Sequence, residues 1–172
     1  MGPITSSQLV EMRKSGAINE YFWVWEAAFP QWMPYLKEAR VIDARERVVY
    51  HRVSAPLVAD RDYVIQFRDT SSGNVTRRSW IAAPAPFAAR APALDGVVRV
   101  TTTDGAWSIE PAGPGRSIVR YVMFIDPGGD VPAAFANLAA LVMLPHVVNA
   151  VCKRATRSPV AGNAEIESQR RR

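Results

Sequence analysis

Residues 125–154, IDPGGDVPAAFANLAALVMLPHVVNAVCKR, constrain the fold more than any other stretch. A turn built on Asp126, Pro127, Gly128 and Gly129 leads into a helix start at Pro132, where a missing N–H has no helical partner to lose. From Ala133 to Cys152 only Asn137, His146 and Asn149 interrupt an apolar surface. A helix that is hydrophobic nearly all round has to be covered on more than one side. A protein core covers one side. A bilayer, another subunit or a cavity with an apolar ligand has to cover the other. Crossing a bilayer is disfavoured, because Asn137, Pro145, His146 and Asn149 break the run.

The chain ahead of this helix reads mainly as strands. Residues 39–43, 46–53, 60–68 and 74–82 are rich in β-branched and aromatic types, with turn signals such as Ser71-Ser72-Gly73-Asn74 between them. Residues 96–103, 106–110 and 117–125 continue the series, and Asp104-Gly105 reads as a two-residue hairpin turn. Earlier, residues 7–18 read as a weakly alternating strand and residues 20–28 as a short helix crowded with Tyr21, Phe22, Trp23 and Trp25. Residues 31–37, with Trp32 and Tyr35, read as a second short helix or turn. Short turns imply antiparallel neighbours, since parallel pairing needs a crossover. The order predicts an α+β domain, a curved antiparallel sheet against the long terminal helix. Residues 83–95, rich in proline and alanine, depart from the short-turn pattern. They read as a stiff surface loop or as a lid over a cavity mouth.

At 172 residues and 48% hydrophobic content the chain suits one well-packed domain, set at residues 1–156, with a basic tail at 157–172. The formal charge of +5 owes much to Lys153, Arg154, Arg157, Arg170, Arg171 and Arg172. These cations lack interleaved aromatics and cluster at the end of the helix and in the tail, which argues against a nucleic-acid partner. A single cysteine, Cys152, excludes an internal disulfide and cannot assemble a cysteine metal site; no metal or cofactor is expected. The first residues lack the apolar core of a signal peptide. That favours a cytoplasmic setting, or a periplasmic one if a leader has been trimmed. A monomer is expected, and the alanine- and arginine-rich composition points to a GC-rich bacterial genome.

Several motifs together resemble the START family of lipid-transfer domains. They are Arg61-Asp62-Tyr63-Val64 after Pro56, Val98-Arg99-Val100, Trp107 with Pro111, and above all DPGGDVPAAFAN from Asp126 to Asn137 followed by Pro145. The resemblance runs from about Val10 to Ala155. It implies a helix-grip fold within the wider Bet v-like superfamily: an incomplete antiparallel barrel around the terminal helix, enclosing a tunnel for one lipid. It also implies a gate made by that helix and a loop, here assigned to residues 83–95, that opens transiently at a membrane surface.

Strand parity and this resemblance give the ligand-binding candidates. Tyr63, Ile65 and Phe67 share a face, and the family places the tyrosine position in the tunnel. Tyr121, Met123 and Ile125 share a face on the last strand, with Tyr121 and Met123 as candidates. The helix offers Phe135, Leu138, Val142 and Met143. Trp80, Phe87 in the lid segment and Arg99 complete the set. For each, packing in an ordinary core is the plain alternative. Family members that bind sterols or phospholipids carry an arginine further along the tyrosine strand, where this chain has Phe67 and Asp69; Arg68 falls on the opposite face. Around the place of its acidic partner stand only Val49, His51 and Arg52. A weakly polar ligand follows, such as a fatty acid, an isoprenoid or an aromatic polyketide.

Arg61 and Asp62 read as structural residues at a sheet edge, since arginine is a poor acid–base group. No nucleophile motif surrounds any serine. Asn137 is expected to bond the preceding turn, His146 to be satisfied at a kink beside Pro145, and Cys152 to act as a small hydrophobe. The function expected is non-catalytic binding and carriage of a hydrophobic ligand, with a cyclase- or hydratase-type enzyme of the same fold or a peptide-binding module as alternatives.

Overall fold

The structure is a computed structural model and describes residues 29–54, 58–114, 116–129 and 131–156. The strand expected at 7–18, the aromatic helix at 20–28 and the tail lie outside the described residues. A short 3₁₀ turn, Phe29–Gln31, opens the described chain. Strands β1 (Leu36–Asp43), β2 (Val48–Val53), β3 (Asp60–Ser72) and β4 (Val75–Ala82) follow. Next come a one-turn helix α1 (Ala85–Ala88), strands β5 (Val97–Arg99), β6 (Thr103–Pro111) and β7 (Ser117–Ile125), and the long helix α2 (Ala133–Thr156). The strands form one sheet in the order β1-β2-β3-β4-β6-β7, with β5 beside β3, and it does not close into a barrel.

Four expectations are corrected. The short helix or turn expected over 31–37 is a turn with other bounds: it opens earlier, with the 3₁₀ turn Phe29–Gln31, and ends sooner, with Leu36 and Lys37 already in β1. Tyr35 at the junction has φ 66, and its carbonyl accepts the Ser54 N–H at 2.8 Å; a chain reversing there cannot continue a helix. The strand expected over 96–103 is only Val97–Arg99. It pairs parallel to β3 (Asp60↔Val97, Asp62↔Arg99), so the sheet is not purely antiparallel. The 83–95 segment supplies the crossover that this parallel pair needs.

Asp104-Gly105 is no hairpin turn. Both residues lie inside β6, Gly105 between Trp80 of β4 and Met123 of β7. A Cβ on Gly105 would stand 2.2 Å from the Trp80 ring, so the glycine is there to let an indole lie flat on the backbone.

Alternation sends successive residues of each strand to opposite faces of the sheet. One face, here called inner, collects Val49, Ile65, Phe67 and Trp80 as a buried cluster, with Tyr63, Trp107, Tyr121 and Met123 against it. The outer face collects Val48, Tyr50, Val64 and Ala91, with Ile42, Ala83, Phe87 and Ala88 against them. The 83–95 segment therefore packs down on the outer face, where Val48 and Tyr50 lose all solvent contact.

Candidate functional site: an apolar cleft under the terminal helix

The approach of α2 is set at its N-terminal turn. Gly128 and Gly129 adopt φ 61 and 65, which only glycine takes without penalty, and Asp126 Oδ1 accepts the Gly128 N–H at 3.0 Å. Arg61, 7% exposed at the start of β3, donates Nε to the Pro127 carbonyl at 3.4 Å and Nη1 to the Ala59 carbonyl. Val98 lies 3.2 Å from where a Gly128 Cβ would be. Arginine, turn and β5 thus aim the helix across the inner face.

Farther along, Tyr35 Oη and His146 Nδ1 share a hydrogen bond of 2.6 Å, with the two rings stacked at 6.1 Å. His146 is satisfied, as the sequence suggested, by a residue 111 positions away. Between these points the helix stands clear of the sheet. No residue of the Phe135–Lys153 stretch is fully buried, and Leu141, Leu138 and Val142 are 73%, 58% and 55% exposed. By length and composition this stretch also meets the requirement for crossing a bilayer. The helix leaves an open cleft of about 450 Å³ lined by Tyr121 from β7 and by Leu141, Leu144, Pro145 and Val148 from α2.

The floor is aromatic. Tyr121 stacks on Trp107 at 4.1 Å and on Trp80 at 5.7 Å, and Trp80 meets Phe67 edge-on at 6.4 Å. Tyr63 meets His51 edge-on at 5.6 Å, and Phe29 lies 6.2 Å beyond. The Tyr121 hydroxyl donates to Met123 Sδ at 3.3 Å, a weak acceptor, and burial pushes its pKa up to about 12. A phenol so held is neutral at any physiological pH.

Past Phe67 the same face becomes polar. Asp69 takes a paired contact from Arg78, Nε and Nη2 both at 2.7 Å, and a third from Arg47 Nη1 at 3.2 Å. The Arg78 guanidinium lies 5.8 Å from the Phe67 ring centre. The inward arginine missing from β3 is therefore supplied by β4, opposite Asp69. Counting two residues back from Trp80 would have found it.

The structure puts Tyr63, Ile65, Phe67, Trp80, Tyr121 and Met123 on the inner face. It does not put Phe87 or Arg99 there. Phe87 packs on the outer cluster, and Arg99 binds Asp62 with Nε at 2.6 Å and Nη2 at 2.9 Å while Nη2 also reaches the Ala91 carbonyl at 3.0 Å. The segment assigned as a lid is pinned to the far side of the sheet. Arg61 and Asp62 are structural, but they sit mid-sheet, on a strand flanked by β2 and β5. On α2 the cleft uses Leu141, Leu144 and Val148, a stripe displaced from the expected Phe135, Leu138, Val142 and Met143, of which Met143 is half-buried and the others exposed.

A curved, unclosed sheet with an aromatic inner face and a terminal helix held over it is the helix-grip architecture. The START domain family model matches residues 3–158, and the chain belongs to that family. It is 32% identical over 127 residues to the phosphatidylcholine transfer protein of Mus musculus, a match that covers 72% of this chain and 59% of that protein. Among solved structures, a STAR-related lipid transfer protein from Xanthomonas axonopodis superposes with a TM-score of 0.66 at 23% identity, covering 89% of this chain and 80% of the other. Human STARD10 superposes with a TM-score of 0.69 at 16% identity, covering 87% and 62%.

Proposed function

We propose that the protein binds a single lipid between the inner face and α2 and carries or presents it without chemical change. One observation carries this reading: an apolar helix, none of whose residues from Phe135 to Lys153 is fully buried, stands over an aromatic floor, leaving a cleft of about 450 Å³. That volume lies within the usual range for small-molecule sites. Each methylene moved from water into it is worth about 0.8 kcal/mol, so an acyl chain needs no catalytic or metal group to be held. The START membership and the likeness to a phosphatidylcholine transfer protein support the lipid class.

The finer reading concerns the headgroup. Arg78 and Arg47 meet Asp69 on the inner face beside Phe67, which favours a phosphate-bearing headgroup over the weakly polar ligand inferred from β3 alone, because guanidinium pairs well with phosphate oxygens. The Tyr121 hydroxyl donates to a thioether rather than to a base, which favours carriage over acid–base catalysis. The exposed apolar stripe of α2, ending at Lys153, suits brief contact with a membrane during loading.

The test is native mass spectrometry of the full chain after mixing with vesicles of phosphatidylcholine, of phosphatidic acid, or of neutral lipid doped with oleic acid. One bound phospholipid per chain, lost in Arg78→Met, is the expected result. Uptake of oleic acid alone would return the ligand to the weakly polar class, and no uptake from any vesicle would end the lipid reading.

A further inference from the structure

Of the residues that interrupt the apolar surface of α2, Pro145 and Asn149 both line the cleft. Pro145 lies inside the helix and has no N–H, so the Leu141 carbonyl, one turn earlier, loses the donor that a regular helix would supply. The proline ring also presses on that carbonyl and opens the ladder there. Leu141, Pro145 and Asn149 follow at four-residue spacing, and side chains so spaced share one side of a helix. The break in the ladder therefore lies on the stripe that lines the cleft, with the Asn149 amide one turn beyond it.

A backbone oxygen without its donor is seldom left dry. While the cleft stands open, Leu141 is exposed and water can reach it. A hydrocarbon chain laid in the cleft displaces that water and returns no bond, so a purely apolar occupant leaves the oxygen unsatisfied. The rest of the lining does not make up the loss. The Tyr121 hydroxyl gives its proton to Met123 Sδ at 3.3 Å, which leaves its oxygen able only to accept. Asn149 brings one amide, and Ala140, Leu144 and Val148 bring only apolar side chains. The wall is rich in acceptors and short of donors. Its distance from the headgroup arginine follows from the sheet. Asp69, Arg78, Trp107 and Tyr121 stand in one row across β3, β4, β6 and β7. Neighbouring strands lie about 4.8 Å apart, so Tyr121 is roughly 10 Å from Arg78 along the row. A molecule with its phosphate at Arg78 therefore brings to these acceptors the groups bonded near the phosphate, not the ends of its chains.

We infer that the cleft selects a lipid carrying an N–H or O–H donor close to its phosphate, bonded to the Leu141 carbonyl that Pro145 frees and to the Asn149 amide. The inference rests on the lipid reading above and deepens it. A lipid whose polar groups are only esters, a phosphate diester and a quaternary amine cannot satisfy these acceptors. The amide and hydroxyl of a sphingoid backbone can, and so can the ammonium of an ethanolamine headgroup.

Native mass spectrometry of the full chain tests this in two competitions from mixed vesicles, phosphatidylcholine against sphingomyelin and phosphatidylcholine against phosphatidylethanolamine, each pair in equal amounts. The first pair shares a headgroup and differs in backbone donors. The second shares a diacylglycerol backbone and differs in headgroup donors, so the two arms tell the sources apart. The wild type is expected to load the donor-bearing lipid over phosphatidylcholine about tenfold or more in at least one arm, the scale of one unmade hydrogen bond. Pro145→Ala gives Leu141 its helical donor back, and Asn149→Leu removes the amide at similar size; each should lower that ratio about threefold or more. If Pro145→Ala does not fold by circular dichroism, Asn149→Leu carries the test. Phosphatidylcholine loaded as readily as both donor-bearing lipids overturns the inference and leaves the lipid reading standing. A preference that survives in the folded variants overturns it too, by placing the choice elsewhere. No loading from any vesicle removes both readings together.

Discussion

The outer and inner faces are made by alternate residues of the same strands, yet among the described residues only the outer face is closed by the chain itself. There the 83–95 segment lies on Val48, Tyr50 and Val64. Asp62, 1% exposed, holds it through Arg99, which reaches on to the Ala91 carbonyl. On the inner face the covering element is a helix that leaves a cleft. The neighbouring residues Arg61 and Asp62 divide this work: Asp62 fastens the cover on one side, and Arg61 holds the turn that launches α2 over the other. A face closed by its own chain should be sensitive in stability, whereas a face closed by a ligand should be sensitive in binding.

The sharpest test of that division is Asp62→Ala. Removing one partner of a buried pair strands the other charge, at a cost of about 3–5 kcal/mol. Chemical denaturation should show a loss of that size, with lipid uptake by the folded fraction unchanged. A loss below about 1 kcal/mol, the scale of exposed pairs, would mean that Arg99 does not fasten the outer cover. Gly105→Ala comes next. The added methyl has only 2.2 Å to the Trp80 ring, so the indole must move, and overpacking of this kind costs about 1–3 kcal/mol. Because Trp80 stacks on Tyr121, this substitution should also alter tryptophan fluorescence and weaken lipid uptake, which Asp62→Ala should not do.

The inner face yields the opposite pattern. Leu141 is 73% exposed while lining the cleft, so Leu141→Lys should change stability by no more than about 0.5 kcal/mol, as at other surface positions. A lysine there opposes an acyl chain, and affinity should fall about tenfold, the equivalent of about 1.4 kcal/mol. Equal affinity for wild type and variant in a vesicle-transfer assay would place the lipid outside this cleft.

How far these differences can be read from sequence depends on the element. In β3 a regular strand makes parity reliable, so Tyr63, Ile65 and Phe67 share a face as counted, and the glycines and Pro132 announce the turn before α2. In α2 an apolar surface on all sides gives parity nothing to choose by, and the cleft stripe of Leu141, Leu144 and Val148 was not legible. Asp104-Gly105 has the composition of a hairpin turn, but its glycine answers a ring from another strand, a tertiary demand that no local pattern carries. The crossover was missed for a similar reason. The 83–95 segment holds only the four-residue α1, too short to signal a β-to-β crossover, and what fixes it is the Asp62–Arg99 pair across 37 residues.

The smallest effect belongs to Tyr50, which sets the two faces against each other through one kind of side chain. Tyr50 has no solvent exposure, and its hydroxyl has no hydrogen bond of normal geometry although the Asp62 carboxylate is near. Burial first, and the Asp62 charge second, raise its pKa from the ordinary 10.0. On the inner face burial alone raises Tyr121 to about 12. Each phenol keeps its proton more tightly when folded. The stability each contributes is therefore complete below the unfolded value and is lost as pH rises through the folded one. For Tyr121 that window runs from 10.0 to about 12. At neutral pH, Tyr50→Phe removes a buried oxygen that lacks a bond, so the change should lie between zero and about 1 kcal/mol of added stability. Its outer-face contribution to alkaline unfolding should vanish while the Tyr121 part remains. A clear loss of stability at neutral pH would instead show that the hydroxyl is bonded to Asp62, and that the outer face is held by a three-residue network rather than by one ion pair.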